Sequence, residues 1–387
     1  MRSKIEPDNR CTGCNVCISS CPKDAIVSKI NELGFWYPQV DSSLCVDCGI
    51  CKDKCPVYGE KVNNCFDEPV AYAGWNRDEN VRKKSSSGGI FTAIAELVIN
   101  NKGVVYGAAY TKEFSVEHIR VETIEDISKV RGSKYVQSYI STEIYRNIEK
   151  DLRTGREVLF SGTPCQTAAV NSRFGNYKNL LTVDVICHGV PSPYAWQKYL
   201  SEISRIGKIE NINMRDKSHG WNNMHMSVLV GSRKLDNWFN DSLWGKSFLA
   251  NLFLRNSCYS CEFKEYKRCS DVSLGDFWDA VRGTHMEYDD DDKGTSVVLV
   301  NSDKGHHILS ELKNCYLDNI LYEWIPEKTY AVVKSSTVNP NREKAFELLK
   351  KGIDFSKVLE KCTQQSFFSK CGHKIKGWLK KCVQKRL

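Results

Sequence analysis

Eight of the 18 cysteines in this chain fall between Cys11 and Cys55, in two copies of one pattern, CTGCNVCISSCP and CVDCGICKDKCP. Each copy reads Cys-x-x-Cys-x-x-Cys-x-x-x-Cys-Pro and closes on Pro22 or Pro56. Three closely spaced thiolates on a tight loop can hold three corners of one iron–sulfur cubane, whereas a fourth cysteine reached after a turn points elsewhere. In this spacing the fourth cysteine ligates the cluster of the other copy. Cys11, Cys14, Cys17 and Cys55 are therefore assigned to one [4Fe-4S] cluster, and Cys45, Cys48, Cys51 and Cys21 to its mate. A lone Cys-x-x-Cys would suit zinc or a disulfide framework equally well. Two complete repeats count against both.

A second thiol group lies in LRNSCYSCEFKEYKRCSDVSLGDFWD, where Cys258 and Cys261 are followed by Cys269. Zinc would accept these three as readily as a cubane, but the two upstream clusters favour a third [4Fe-4S] that continues the electron path. A fourth ligand is needed. Two strand-like runs, Glu157 to Phe160 and Leu181 to Ile186, lead into SGTPCQ and CHGVPSP, delivering Cys165 and Cys187. The carboxyl ends of strands in open α/β sheets are ligand positions, so both cysteines are candidates.

Other stretches point to an anionic ligand. In RKKSSSGGIFTAIAELVINNKGVVYGAAY a Ser/Gly turn, Ser85 to Gly89, opens into an apolar helix from about Ile90 and then a strand. Unpaired N–H groups at such a helix start favour phosphate; a plain capped helix is the alternative. RGSKYVQSYIS brings Gly132, Ser133, Lys134 and Gln137 together ahead of a helix running to about Leu152, as a second ligand loop or a simple helix start. His219, Trp221 and His225 in HGWNNMHM are candidates for lining a pocket. The acidic run Asp289 to Asp292 reads as a solvated loop before a strand over Ser296 to Val300.

The elements that must position these residues need more than one domain, since 387 residues predict about two or three. No apolar run is long enough to span a membrane, and MRSKIEPDNR lacks a signal segment, so a cytoplasmic location is expected. Cysteines in a reducing compartment favour metal ligation over disulfides. The net charge of +8 equals the eight Lys and Arg of residues 361–387, a stretch without Asp or Glu. The rest of the chain is near neutral, which argues against a nucleic-acid groove. The tail places Phe367, Phe368, Ile375, Trp378, Leu379 and Val383 at helical intervals between lysines, a basic amphipathic helix suited to the inner membrane face or an acidic partner.

Taken in order, SSSGGIFTAIA, GSKYVQS, VLFSGTPCQ, CHGVPSP and the Cys-x-x-Cys before KRCSDVSLGDFW resemble the coenzyme F420 hydrogenase/dehydrogenase beta-subunit family, in the branch with an N-terminal ferredoxin module. The resemblance runs from Cys11 to about Val300. It implies an α+β fold: a ferredoxin-like two-cluster module, an α/β-type body that binds FAD and a cluster, and a basic helical tail. The corresponding boundaries are 1–62, a linker at 63–70, a flavin-loop domain at 71–155, an FAD and third-cluster domain at 156–340, and the tail at 341–387.

By the same resemblance, Ser86, Ser87, Gly88, Gly89 and Lys134, with Gly162, Thr163, Pro164, Cys165 and Gln166 of the SGTPCQ loop, are the expected flavin contacts. Because that loop is given to flavin, Cys187 is preferred over Cys165 to complete the third cluster with Cys258, Cys261 and Cys269. The implied function is an iron–sulfur flavoprotein oxidoreductase passing electrons between [4Fe-4S] clusters, FAD and a hydride carrier, either F420 or another small molecule. A non-catalytic electron-transfer subunit of a larger redox complex is the other reading. A redox partner protein or small-molecule hydride carrier is expected. No catalytic residue is assigned; His188, Lys134 and His225 qualify as proton donors by chemistry alone.

Overall fold

The computed structural model describes residues 4–60, 65–265, 268–279 and 291–363. Its centre is an eight-stranded sheet. The strands are β3 (Val70–Asn76), β4 (Val104–Tyr110), β5 (Val116–Val121), β6 (Val158–Gly162), β7 (Leu180–Val185), β11 (Val272–Asp276), β12 (Ser296–Val300) and β13 (Cys315–Ile320), in the order β13-β3-β12-β11-β7-β6-β4-β5. Four adjacent strands, β11, β7, β6 and β4, are mutually parallel, while β5 and β12 run against their neighbours.

Parallel strands covered on both faces need apolar side chains on both, and the sequence supplies them. Alternate residues divide between the faces. Val105, Leu159 and Val183 pack with Ile90, Ile94 and Val98 of the helix Ile90–Asn100. Val104, Val158, Phe160 and Leu180 pack on the other side with Ile144 and Ile148 of the helix Thr142–Arg153 and Ala169 and Val170 of the helix Pro164–Phe174. Strands from either side of the expected 155/156 boundary share this sheet, so residues 71–155 and 156–340 build one core.

Between β7 and β11 the chain makes a second, antiparallel sheet of β8 (Ile209–Asp216), β9 (His225–Val230) and β10 (Arg233–Trp238). Its inner face, with Ile212, Met214, Met226 and Val228, lies on an aromatic core that includes Trp196, Tyr199, Trp244, Phe253 and Phe355. The helices Arg342–Lys350 and Phe355–Thr363 bury Phe346, Leu349, Val358 and Leu359 in that same core. The stretch from 341 to 363 therefore belongs to the body and not to a basic tail; its lysines obscure an apolar stripe. The amphipathic segment from Phe367 onward lies outside the described residues.

The N-terminal module is a hairpin of β1 (Ile26–Ile30) and β2 (Trp36–Val40) with two single-turn helices, Val16–Ser19 and Ile50–Asp53, beside the cysteines. It is fastened to the body by buried polar contacts. Tyr145 donates from its hydroxyl to the carbonyl of Cys14 at 2.9 Å, and the amide of Asn15 donates to that of Ile140 at 3.0 Å. Arg255, with 0% exposure, donates to the carbonyls of Cys11 at 2.7 Å and Trp36 at 2.9 Å and lies 4.3 Å over the Tyr37 ring.

Arg255→Met keeps the volume and removes the donors, leaving two buried carbonyls unpaired. The expected loss is about 3 kcal/mol, read as a lowered Cm in urea unfolding followed by circular dichroism; an unchanged midpoint would show that other contacts hold the module. His118 lies beneath the SGTPCQ loop, its Nε2 3.1 Å from the Ser161 carbonyl oxygen, and burial pushes its pKa down to about 4. The unfolded chain then binds the extra proton between that value and about 6.5. Stability present above pH ~6.5 is lost as the pH falls toward ~4, by at most about 1.4 kcal/mol per pH unit. Urea titrations should show a shallower acid-side slope for His118→Gln than for the wild type.

Candidate functional site

The carboxyl ends of β4, β6, β7 and β11 lie at one end of the sheet and open onto a cavity of about 290 Å³. Its walls include Ser86, Ser87 and Gly89, the segment Val130–Val136, Ser161–Thr163 with Gln166, and Cys187–Val190. This is the crevice in which ligands of open α/β sheets sit, and its size and mixed lining suit a small-molecule cofactor.

The Ser/Gly turn is shaped by its glycines. Gly89 precedes the Ile90–Asn100 helix at φ 88°, and no side chain caps that helix start, leaving its first N–H groups free toward the cavity. Gly88 is held from behind: its N–H donates to Ser296 Oγ at 2.9 Å, and a Cβ there would collide with the Gly74 carbonyl oxygen. It packs the turn and does not line the cavity. Opposite, Gly132 at φ 83° has Ser86 Oγ, 3.9 Å from where a Cβ would be, as its nearest neighbour, and Ser86 Oγ accepts from the Ser133 N–H at 2.9 Å. The two expected ligand loops thus face each other.

Lys134 lines the cavity, but its ammonium does not serve it. Nζ donates to the carbonyls of Lys129, Arg131 and Gly132 at 2.9–3.2 Å, closing the turn after the short helix Ile127–Val130, and burial lowers its pKa to about 7. A different cation serves the cavity. Arg215 is buried there, paired with both carboxylate oxygens of Asp276 at 2.6 and 3.0 Å, while its Nε has no partner. Lys217 braces the Ser/Gly turn from outside by donating to the Ser87 carbonyl at 2.9 Å. No motif marks these residues; the only signal is charge inside otherwise strand-like runs, in NMRDK and LGDFW.

The SGTPCQ loop divides between two sites. Gly162, Thr163 and Gln166 face the large cavity, where Gln166 Oε1 accepts from the Thr163 N–H at 3.0 Å and fixes the start of the Pro164–Phe174 helix. Pro164 and Cys165 face a second, smaller cavity of about 30 Å³, together with Cys187, Cys258 and Cys261. Burial drives the pKa of Cys187 up to about 11 and that of Cys258 up to about 12, with neighbouring thiolates adding to the effect. Cys165 is also raised, by burial first and then by Cys261, Cys187 and Cys258. The Val190 N–H points at Cys258 Sγ at 3.4 Å, and Lys264 Nζ donates to the Cys187 carbonyl at 2.6 Å. Partly buried thiols gathered around one small cavity, with an N–H at one sulfur and an ammonium nearby, suit a metal centre ligated by thiolates, whose negative charge those donors offset.

Cys269 is not part of that set. It stands three residues before β11, and Cys187 stands two residues after β7, whose parallel register pairs Val272 with Val183. Seven steps of about 3.3 Å separate their levels, on the order of 20 Å. Cys269 instead lies beside Cys65 at the amino end of the strands. The expected group of Cys187, Cys258, Cys261 and Cys269 is therefore not brought together: Cys165, and not Cys269, lines the cavity with the other three.

In the N-terminal module, Cys21, Cys45, Cys48 and Cys51 line one small cavity. Cys14, Cys17 and Cys55 are buried with Cys11, and each is influenced by Cys11. The crossing of Cys21 and Cys55 into the opposite repeat's group is present. Loop Cys187–Val190 lines both the small thiol cavity and the large one, and Arg10, Thr12 and Val57 of the N-terminal module line the thiol cavity from the other side. His188 lines both, its Nε2 2.5 Å from Asn251 Oδ1, and burial lowers its pKa. His219, Trp221 and His225 do not line the cavity: the histidines sit at the small sheet, and Trp221 is buried against Trp278.

Residues 155–318 match the family model for the C terminus of the coenzyme F420 hydrogenase/dehydrogenase beta subunit, and residues 71–144 match the model for its N terminus. Residues 10–58 match a 4Fe-4S dicluster domain. No curated protein matches the chain. Among solved structures, it is similar to a chain of the F420-reducing [NiFe] hydrogenase complex from Methanosarcina barkeri, at 19% identity and a TM-score of 0.46, over 78% of this chain and 93% of that one. With a 4Fe-4S dicluster domain ahead of both halves of the beta-subunit match, this chain belongs to the coenzyme F420 hydrogenase/dehydrogenase beta-subunit family.

Proposed function

We propose that this chain is an iron–sulfur flavoprotein oxidoreductase in which electrons enter through the N-terminal module (residues 1–62), pass a third [4Fe-4S] centre held by Cys165, Cys187, Cys258 and Cys261, and reach FAD in the large cavity. The observation that carries this reading is the shared wall: Cys187–Val190 faces the thiol cavity on one side and the large cavity on the other. F420 or another small hydride carrier is the substrate class, and a redox protein the partner. Residues 71–340 bind the flavin.

A bound flavin exchanges single electrons for a hydride, and the protein supplies orientation and electrostatics. The uncapped start of the Ile90–Asn100 helix and the hydroxyls of Ser86 and Ser87 offer donors to a diphosphate. Gly132 leaves the opposite wall free of side chain. Arg215, paired with Asp276, lines the cavity without adding net charge. His188, held by Asn251, is the imidazole at the wall between the cavities, and its burial lowers its pKa.

In anaerobically purified protein, Cys165→Ala should lower iron by one cluster's worth per chain while Cys269→Ala leaves it unchanged; equal iron in both variants would remove the four-thiol assignment. FAD released by acid should be stoichiometric with the wild-type chain. Gly132→Val, whose side chain would enter the cavity beside Ser86, should weaken FAD retention at least tenfold, about 1.4 kcal/mol, with iron retained. Wild-type protein that holds full iron and takes up no FAD on reconstitution would leave an electron-transfer subunit without flavin.

A further inference from the structure

Outside the cavities, one cluster of side chains has a donor set that neither the flavin nor the iron–sulfur centres use. On the outer face of the small sheet, His219 Nε2 lies 3.0 Å from Asp236 Oδ2, and His225 Nδ1 lies 2.8 Å from Asp236 Oδ1. The two imidazoles stack with centroids 4.0 Å apart. The strand register explains the convergence. Asp236 of β10 pairs with Ser227 of β9, so His225 is its diagonal neighbour on the same face. His219 reaches the same point from the loop that follows β8.

We propose that His219, His225 and Asp236 form a binding site for a first-row divalent metal ion, with zinc the ion whose ligand preferences they meet. One ligand atom from each residue lies within 4.8 Å of the other two. Tetrahedral zinc, with bonds of about 2.0–2.1 Å, holds its ligand atoms about 3.3 Å apart, so small side-chain rotations close the site. Two imidazole nitrogens with one carboxylate are a zinc set with an open position for water; calcium and magnesium take oxygen donors instead.

The site is already one that attracts a cation. Lys234 Nζ lies 2.9 Å from Asp216 Oδ2 and 3.4 Å from Asp236 Oδ2, and Asp216 is the partner of His225 across β8 and β9. Lys234 is 45% exposed at its side chain and can swing to solvent, releasing Asp236 to the metal.

The role of the ion would be to hold a loop. Residues 217–224 join β8 to β9, and at the level of His219 the imidazole and the Asp236 carboxylate tie that loop to β10. The same loop touches the body elsewhere: the Trp221 N–H donates to the Asp292 carbonyl at 2.8 Å, and Lys217 reaches the Ser87 carbonyl. A metal at His219 thus fixes the loop that braces the Ser/Gly turn, acting on the large cavity from outside it and with no part in electron transfer.

The test is zinc content. Holoprotein purified anaerobically, with its iron counted, is dialysed against micromolar zinc chloride and analysed by mass spectrometry for both metals. The expected result is one zinc per wild-type chain and none in His225→Ala or Asp236→Asn, with iron unchanged in all three. No zinc in the wild type, or zinc retained by both variants, overturns the proposal. Should the variants lose iron, zinc K-edge spectroscopy on the wild type decides instead: a nitrogen and oxygen shell supports the site, and a sulfur shell, which would place zinc on cysteines, refutes it.

Discussion

The parallel alignment of β4, β6, β7 and β11 is the constraint on which the remainder of this structure depends. Parallel strands finish at a common level, and every loop leaving them starts there. The SGTPCQ loop, the CHGVPSP loop and the Asp276 end of β11 follow β6, β7 and β11, and they meet because these strands share a direction; the Ser/Gly turn joins them from β3, which is antiparallel to β12 and so also ends on this side of the sheet. Hydrophobic burial on both faces of the sheet holds that alignment, so the shape of the cavity at its end rests on side chains such as Val105, Leu159 and Leu181 that do not line it.

The same alignment explains which expectations are legible in the sequence and which are not. Local patterns carry their own information: the apolar run Ser296–Val300 is a strand with those limits, the turn ending at Gly89 opens a helix at Ile90, and the two cysteine repeats cross as their spacing requires. Cys269 fails because spacing along the chain is one-dimensional. Its nearness to Cys261 in sequence says nothing about the strand that carries the chain away, and only the pairing of Val272 with Val183 shows that Cys269 lies at the wrong end. Giving Cys165 to the flavin treats the SGTPCQ loop as a unit, whereas a helix beginning at Pro164 turns successive residues to different sides.

Charge is the other source of error, and again for a physical reason. A lysine in a Gly/Ser loop is usually free to meet a ligand, which is the basis for expecting it of Lys134; here three carbonyls of its own loop satisfy it. The helix Arg342–Lys350 is legible at 343–351 as a helical close of the globular part, whereas the basic residues after it hide the helix Phe355–Thr363, whose apolar face completes the aromatic core. Arg215 and Asp276 come from different sheets and have no joint signature in sequence.

Arg255 has a consequence for how the chain is made. Its bond to the Cys11 carbonyl spans 244 positions, among the longest closures in the molecule, and the N-terminal module leaves the ribosome long before its partner does. During that interval the carbonyls of Cys11 and Trp36 face water, and the seam with the body stays open. Contacts of such sequence separation form late in folding. The seam between the module and the body is therefore sealed only after residue 255 has been made, and the two parts of the chain must each reach a shape that fits the other before Arg255 joins them.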